Sequence, residues 1–186
     1  MKLKKLYIFV EGNDDELFFK KIMIPLFLNS YNDVEIFKYA QWKRQKVELF
    51  LQSIITLNYD YIFTADIDLL ETVNAKKQVI RHKFGNLDNN RITIVIKEIE
   101  SWYLAGCTDA MSAVLNIRIP ANTNEITKED FNAICHTTYR SRIDFMYELL
   151  KVFNYETANE RNESFHFFMN LYNLNKKENE PEGKSQ

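Results

Sequence analysis

The sequence predicts an α/β protein whose mainly parallel sheet has helices on both faces. Short, continuous apolar runs, typical of strands covered on both sides, recur along the first hundred residues. Segments with apolar residues at helical spacing lie between them. The chain is 46% hydrophobic and 14% aromatic, with 4 Gly and 3 Pro among 186 residues, so one domain can bury a proper core.

The strand candidates are residues 6–10, 34–37, 61–66 and 92–96. The helices predicted between them cover 14–28, 47–55 and 71–84. Strict alternation of strand and helix implies parallel strands joined by crossover helices. The first helix should bury Leu17, Phe18, Ile22 and Leu26, and the third should bury Val73, Val79 and Ile80 and end at Gly85.

The second half of the chain predicts a helical extension of the same domain. From about residue 107 the pattern is helical, with apolar residues three and four apart in 142–153 and 159–172. We therefore expect a single domain over residues 1–174. The polar, charged residues 175–186 should form a disordered tail.

Charge and hydropathy exclude few functions. The net charge of −2 neither identifies nor excludes a nucleic-acid-binding protein, because a local basic patch can lie beside an acidic site. An apolar run of about 18 residues, as a membrane span requires, does not occur. The basic start and the apolar run after it are interrupted at Glu11, unlike a signal peptide. We expect a cytoplasmic protein.

Acidic residues follow three of the predicted strands. Glu11 ends the first, Asp66 and Asp68 follow the third, and Glu98 and Glu100 follow the fourth. Ligands of open α/β sheets bind beyond the carboxyl ends of the strands. Residues two apart in extended chain point the same way, so each pair should face one ion together. Glu98 is expected to be a bystander.

Asp15 lies four residues after Glu11, close enough to share this site. Crowded carboxylates repel and raise one another's pKa, and a hard cation such as Mg²⁺ relieves the repulsion. The alternative is that acids at strand ends are simply solvated, or that Asp14 or Asn13 caps the first helix. For Glu11, Asp66 and Asp68 together, on separate strands of one sheet, we favour a divalent-metal site.

Two segments resemble the Toprim domain, the metal-binding fold of topoisomerases, primases and OLD-family (overcoming lysogenization defect) nucleases. They are VEGNDDELF at 10–18 and ADID at 65–68. Glu11 matches the strand-end Glu of that pattern, and Asp66 and Asp68 match its DxD pair. The spacing of Glu11 and Asp15 is similar to the ExxxD variant of OLD-type nucleases.

A smaller family is also suggested by two later segments. IESWYL at 99–104 and ESFHFF at 163–168 resemble short, uncharacterised Toprim-like proteins that often accompany ATPases in bacterial defence systems. Together the resemblances cover most of residues 6–170. The long first-helix insertions and the tyrosine domain of topoisomerases are absent from this sequence.

The resemblance implies phosphodiester chemistry with Mg²⁺ or Mn²⁺. The implied metal ligands are Glu11, Asp15, Asp66, Asp68 and Glu100. Glu11, Asp66 and Asp68 would be catalytic, together with a cation for the charge that develops on the phosphate. Lys97 is the nearest candidate in sequence, followed by Arg140 and Arg142, although Lys and Arg side chains are more often plain surface charges.

Two basic segments could contact nucleic acid. Trp42-Lys43-Arg44 places an aromatic ring beside cations, which could stack on a base, or could be a helix start with a packed Trp. The helix at 71–84 carries Lys76, Lys77, Arg81, His82 and Lys83, which could follow a phosphate backbone or form a solvated face.

Three functions are compatible with these patterns. The first, which we favour, is a Mg²⁺-dependent nuclease in defence against phage or plasmid, with DNA rather than RNA as its partner. The second is a non-catalytic subunit or sensor that binds metal or nucleic acid and works with a partner ATPase. The third is an unrelated α/β phosphatase or nucleotidyl transferase. A membrane partner is not expected, and a homo-oligomer is compatible with the sequence.

Overall fold

The computed structural model describes residues 3–85, 87–136 and 138–175. Its centre is a four-stranded sheet in the order β2-β1-β3-β4, with every neighbouring pair parallel. The strands are β1 (Lys5–Val10), β2 (Asp33–Lys38), β3 (Asp60–Asp66) and β4 (Ile92–Val95). The predicted α/β class is confirmed. The tail predicted to be disordered lies, apart from Asn175, outside the described residues.

Helices connect the strands and then fill the second half of the chain. In chain order they are α1 (Asn13–Phe18), α2 (Ile24–Phe27), α3 (Arg44–Thr56), α4 (Val73–Phe84), α5 (Ile99–Ala105), α6 (Asp109–Val114), α7 (Lys128–His136), α8 (Arg142–Lys151), α9 (Tyr155–Arg161) and α10 (Glu163–Leu171). Within the described residues, none of these helices combines the length and apolar character needed to cross a membrane.

The two faces of the sheet are buried in two separate cores, as alternation along a strand requires. Ile8 and Val10 of β1 pack in one core with α1, α2 and the C-terminal helices. Phe9, between them, packs in the other core with residues of α3 and α4, including Leu51 and Ile80. Helices therefore cover both faces, and the C-terminal helices share the first core with the sheet.

The segment predicted as one helix over 14–28 is interrupted. A π-helical turn, Phe19–Met23, separates α1 from α2. A π turn holds more residues than an α turn and therefore rotates the side chains after it. Phe19, Met23 and Phe27 are consequently buried with Phe18 and Ile22, whereas Leu17 and Leu26 are only partly buried.

Two further expectations about helices are wrong in detail. Val79 was expected inward on α4, but it is 50% exposed, while the aliphatic stem of Lys76 is buried. Residues 159–172 form parts of two helices, because Asn162 is extended and caps α10 with its side-chain oxygen, which accepts the Phe165 N–H at 3.0 Å. Gly85 ends α4 at φ +97°, as its position predicted.

Candidate active site

A cavity of about 360 Å³ lies at the carboxyl edge of the sheet. All five predicted metal ligands line it. The lining residues are Glu11, Gly12, Asn13, Asp14, Asp15, Asp66, Asp68, Glu98, Ile99, Glu100 and Lys128. Seven acidic residues from three separate stretches of the chain thus line one polar cavity, which we call the acidic pocket.

Parallel pairing of the two central strands brings the first acids together. Glu11 follows β1 directly, and Asp66 is the last residue of the neighbouring β3. The expected extended alternation beyond them is wrong. Asp68 has a left-handed backbone at φ +54°, and Glu98 and Glu100 lie at the start of α5, where Glu98 is the N-cap. The two later acids therefore reach the pocket from a helix rather than a strand.

Asp66 is half-buried, and one of its carboxylate oxygens is enclosed. Its Oδ1 atom is shielded from solvent and has no hydrogen-bond partner among the described residues. Burial raises the pKa of Asp66 well above its ordinary value, and the nearby carboxylates of Asp15 and Glu11 raise it further. A buried acceptor without a partner costs free energy unless something else fills its coordination.

Asp15 and Glu100 are buried more deeply than Asp66, at 5% and 3% exposure. Asp15 Oδ2 accepts the Gly12 N–H at 3.1 Å and so helps to cap α1. Burial, with smaller contributions from Glu11 and Glu100, raises the pKa of Asp15 to about 7. Burial likewise raises the pKa of Glu100, although the nearby Arg142 guanidinium opposes the rise.

Two cations already pair with acids of the pocket. Arg142, the first residue of α8, places Nη1 2.6 Å from Asp14 Oδ2, and its Nη2 donates to Glu100 Oε1. Lys76 of α4 forms an ion pair with Asp68. Lys97, expected as the nearest cation, instead pairs with Glu125 at 3.0 Å, and it does not line the pocket.

The acids stand in an open arrangement. In the part of the chain that the structure describes, no three His, Cys, Asp or Glu side chains converge in a set that could hold a metal ion as they stand. Two ion pairs account for this open arrangement, because Lys76 draws Asp68 toward itself and Arg142 draws Glu100 toward itself.

Two residues at the site escaped the sequence analysis. Tyr39 follows β2, and its hydroxyl donates to Glu11 Oε2 at 3.4 Å. Burial and the surrounding acids raise its pKa well above the ordinary value, so it stays protonated. Tyr39 could have been predicted from the sequence, because it directly follows β2 and ligands of open α/β sheets bind beyond the carboxyl ends of the strands. Lys128 carries no such signal, because its helix was not predicted; its backbone N–H donates to Glu98.

A buried polar network fixes the start of α5. Trp102 Nε1 donates to Ser164 Oγ at 2.8 Å, and Ser164 donates to Asn162 Oδ1 at 2.8 Å. The Asn162 amide donates to Ser101 Oγ at 3.2 Å, and Ser101 donates to the Ile96 carbonyl. The segments at 99–104 and 163–168, singled out in the sequence, are therefore in direct contact.

Comparison with known proteins gives one structural similarity. The chain resembles the C-terminal region of the Burkholderia pseudomallei OLD protein, with a TM-score of 0.48 and 12% sequence identity. The match covers 90% of this chain and 99% of that chain. No protein-family model matches the sequence, and no curated protein does. Membership of the Toprim domain family therefore stays a prediction.

Proposed function

We propose that this protein is a Toprim-type, metal-dependent nuclease that hydrolyses phosphodiester bonds, in DNA rather than RNA, in defence against phage or plasmid. The observation that carries the proposal is the shielded Oδ1 atom of Asp66, a residue that lines the acidic pocket. This atom has no hydrogen-bond partner among the described residues. A divalent cation would supply the missing partner and relieve the repulsion among the acids.

The donor set fits Mg²⁺ or Mn²⁺, which prefer carboxylate oxygen. Glu11, Asp15, Asp66, Asp68 and Glu100 are the residues that would hold it. When bound, the metal would polarise the phosphate and lower the pKa of attacking water. In the metal-free pocket the pKa of Asp15 is raised to about 7, and a bound cation would hold its carboxylate deprotonated.

Arg142 is better placed than Lys97 to meet the phosphate. It reaches the pocket from α8 and contacts both Asp14 and Glu100, and it is 22% exposed. A guanidinium binds phosphate oxygens in a bidentate manner and keeps its charge at every relevant pH. We assign it the stabilisation of charge that develops on the phosphate, in place of Lys97.

The alternative is a non-catalytic subunit or sensor that binds metal or nucleic acid beside a partner ATPase. The open arrangement of the acids favours this second function. In that case the pocket would close around a metal only when a partner displaces Lys76 from Asp68 or Arg142 from Glu100.

Cleavage assays separate the two functions. The protein is incubated with plasmid, linear duplex and single-stranded DNA in Mg²⁺, Mn²⁺ or EDTA, and each is repeated with RNA. We expect metal-dependent cleavage that Glu11→Gln reduces at least about a hundredfold, because a metal ligand is lost. Glu160→Gln, on the exposed face of α9, removes one charge elsewhere and should leave the rate unchanged.

Two results would change the assignment. Equal activity in Glu11→Gln and Glu160→Gln would exclude the acidic pocket as the active site. Cleavage that occurs only after a partner ATPase is added would support the subunit function and keep the chemistry of the pocket.

A further inference from the structure

Two basic segments that are distant in sequence meet on the surface. Arg44 begins α3, and its Nη2 donates to the carbonyl oxygen of His82, near the end of α4, at 3.2 Å. This contact joins one set of exposed residues, which we call the basic patch: Trp42, Lys43, Arg44, Lys46, His82 and Lys83. Glu48, 3.4 Å from Arg44, is an acid at its margin, so four fixed positive charges face one negative charge.

An aromatic ring lies among these charges. Trp42 is 39% exposed. The edge of its ring packs on Phe37 with 4.5 Å between centroids, and Lys46 Nζ lies over the ring at 3.6 Å. Lys46 is an exposed, flexible cation, so a flat aromatic ligand can replace it on Trp42 while the ammonium moves to a neighbouring anion. Base stacking next to phosphate binding is the chemistry that recognises single-stranded nucleic acid.

The chain segment that ends at Trp42 of the basic patch also contacts residues of the acidic pocket. The backbone N–H of Trp42 donates to the Tyr39 carbonyl at 3.1 Å, and the Tyr39 hydroxyl contacts Glu11. Lys38, on the same segment, donates at 2.9 Å to Asn13 Oδ1, and Asn13 lines the pocket. One short stretch of chain, residues 38–42, therefore connects a surface suited to polyanions with the carboxylates.

We propose that the basic patch binds single-stranded nucleic acid and leads the strand to the acidic pocket. Trp42 stacks on one base, and Lys43, Lys46 and Lys83 contact the flanking phosphates. The second half of this proposal rests on the proposed nuclease function. The first half, binding, does not, because the patch contains none of the carboxylates of the pocket.

Oligonucleotide binding is therefore measured in EDTA, which removes the metal that cleavage requires. The probe is a labelled oligothymidylate of about 20 nucleotides, with a duplex of equal length for comparison. The intrinsic fluorescence gives a second readout, because Trp102, the only other tryptophan, is fully buried. Stacking on Trp42 should quench the exposed part of the emission as the oligonucleotide binds.

Two double variants of equal net charge test the patch. Lys43→Gln with Lys83→Gln should weaken oligonucleotide binding at least about tenfold. It should also reduce the slope of the logarithm of the binding constant against the logarithm of the salt concentration by about 1.4, because two phosphate contacts on a single strand are lost. Lys21→Gln with Lys151→Gln, exposed lysines outside the patch, should change binding less than twofold. Trp42→Ala should weaken binding at least about fivefold and remove the quenching, whereas Trp42→Phe should restore most of the affinity.

Each opposite result overturns the proposal. The proposal fails if the two double variants bind equally well, or if the tryptophan emission does not change on binding. It also fails if the protein binds duplex more tightly than single strand, or if polyglutamate displaces the oligonucleotide as readily as unlabelled oligonucleotide does. Failure of the proposed function looks different. The basic patch then binds the oligonucleotide as expected, but no substrate is cleaved in Mg²⁺ or Mn²⁺.

Discussion

The indole nitrogen of Trp102 donates a 2.8 Å hydrogen bond to the hydroxyl of Ser164, 62 residues later in the chain. The same hydroxyl accepts the backbone N–H of Ile96 at 3.2 Å, at the start of the segment that leads from β4 to α5. Ser164 therefore holds both sides of the turn that carries Glu98 and Glu100 into the acidic pocket.

Ser164→Ala should destabilise the protein by about 1–3 kcal/mol, because it leaves the buried indole N–H of Trp102 without an acceptor. Urea unfolding measures the change. Ser53→Ala is the matched control, since the Ser53 hydroxyl lies on the exposed side of α3 and donates to the Leu49 carbonyl of the same helix. A loss no larger than that of the control would show that the network contributes little to stability.

Asp66→Asn should separate stability from metal binding. It keeps the size of the side chain and removes a confined charge, so the metal-free protein should gain about 0.5–2 kcal/mol. Mg²⁺ or Mn²⁺ should stabilise the wild type by about 2.7 kcal/mol at a hundredfold excess over Kd, and should not stabilise the variant. Thermal unfolding with and without metal measures both effects, and Glu160→Gln serves as control. A metal shift that survives in Asp66→Asn would remove Asp66 from the ligand set.

The stability of the metal-free protein should fall as the pH rises from about 4 to about 7. Asp15 has its pKa raised from 3.8 to about 7 in the folded protein. In this interval the folded state holds a proton that the unfolded state releases, so rising pH favours unfolding, by at most about 1.4 kcal/mol per pH unit for one group. Asp66 and Glu100 act in the same direction.

Urea unfolding in EDTA at several pH values tests this dependence. Asp15→Asn should make the free energy of unfolding depend less on pH between about pH 5 and 7, while the contributions of Asp66 and Glu100 remain. An identical slope in wild type and variant would mean that Asp15 titrates in the folded protein as it does in the unfolded chain.

Arg142 and Lys97 give a direct comparison of two cations. If Arg142 meets the phosphate, Arg142→Gln should lower kcat at least about tenfold, and Arg142→Lys should recover part of it. Lys97→Gln should leave kcat within about twofold, because Lys97 pairs with Glu125 outside the pocket. All three variants are first compared for unfolding free energy, since Arg142 also bridges Asp14 and Glu100. A larger loss for Lys97→Gln would restore the sequence-based assignment.

The fold class followed from local information. The runs at 6–10 and 92–96 are apolar at every residue except Thr93, because both faces of the sheet are buried. The rule that ligands bind beyond the carboxyl ends of parallel strands then placed Glu11, Asp66 and Asp68 at one edge. The spacing from Glu11 pointed to Asp15, the position after the fourth strand pointed to Glu100, and the resemblance implied that both are metal ligands. Each of these signals lies within a few residues of the position that it predicts.

The sequence-based predictions that were wrong concern features that depend on non-local contacts or on single backbone angles. Asp68 leaves the extended conformation at φ +54°, which alternation along a strand cannot reveal. The pairing of Lys76 with Asp68 is set by how α4 begins, and that of Arg142 with Glu100 by how α8 docks, 42 residues away. Cations are common on helices, so composition alone does not show which of them faces an acid.

The first core has a consequence for how the protein is made. Leu6 of the central strand and Phe168 of the last helix pack in the same core, about 160 residues apart. At a synthesis rate of about 5–20 residues per second, this core waits roughly 8 to 30 s for its last helix. During that time α1 and α2 can cover Ile8 and Val10, while the part of the core that α10 completes stays open to chaperones and proteases. The carboxylates of the pocket emerge before Arg142 does, so the complete site assembles only late in translation.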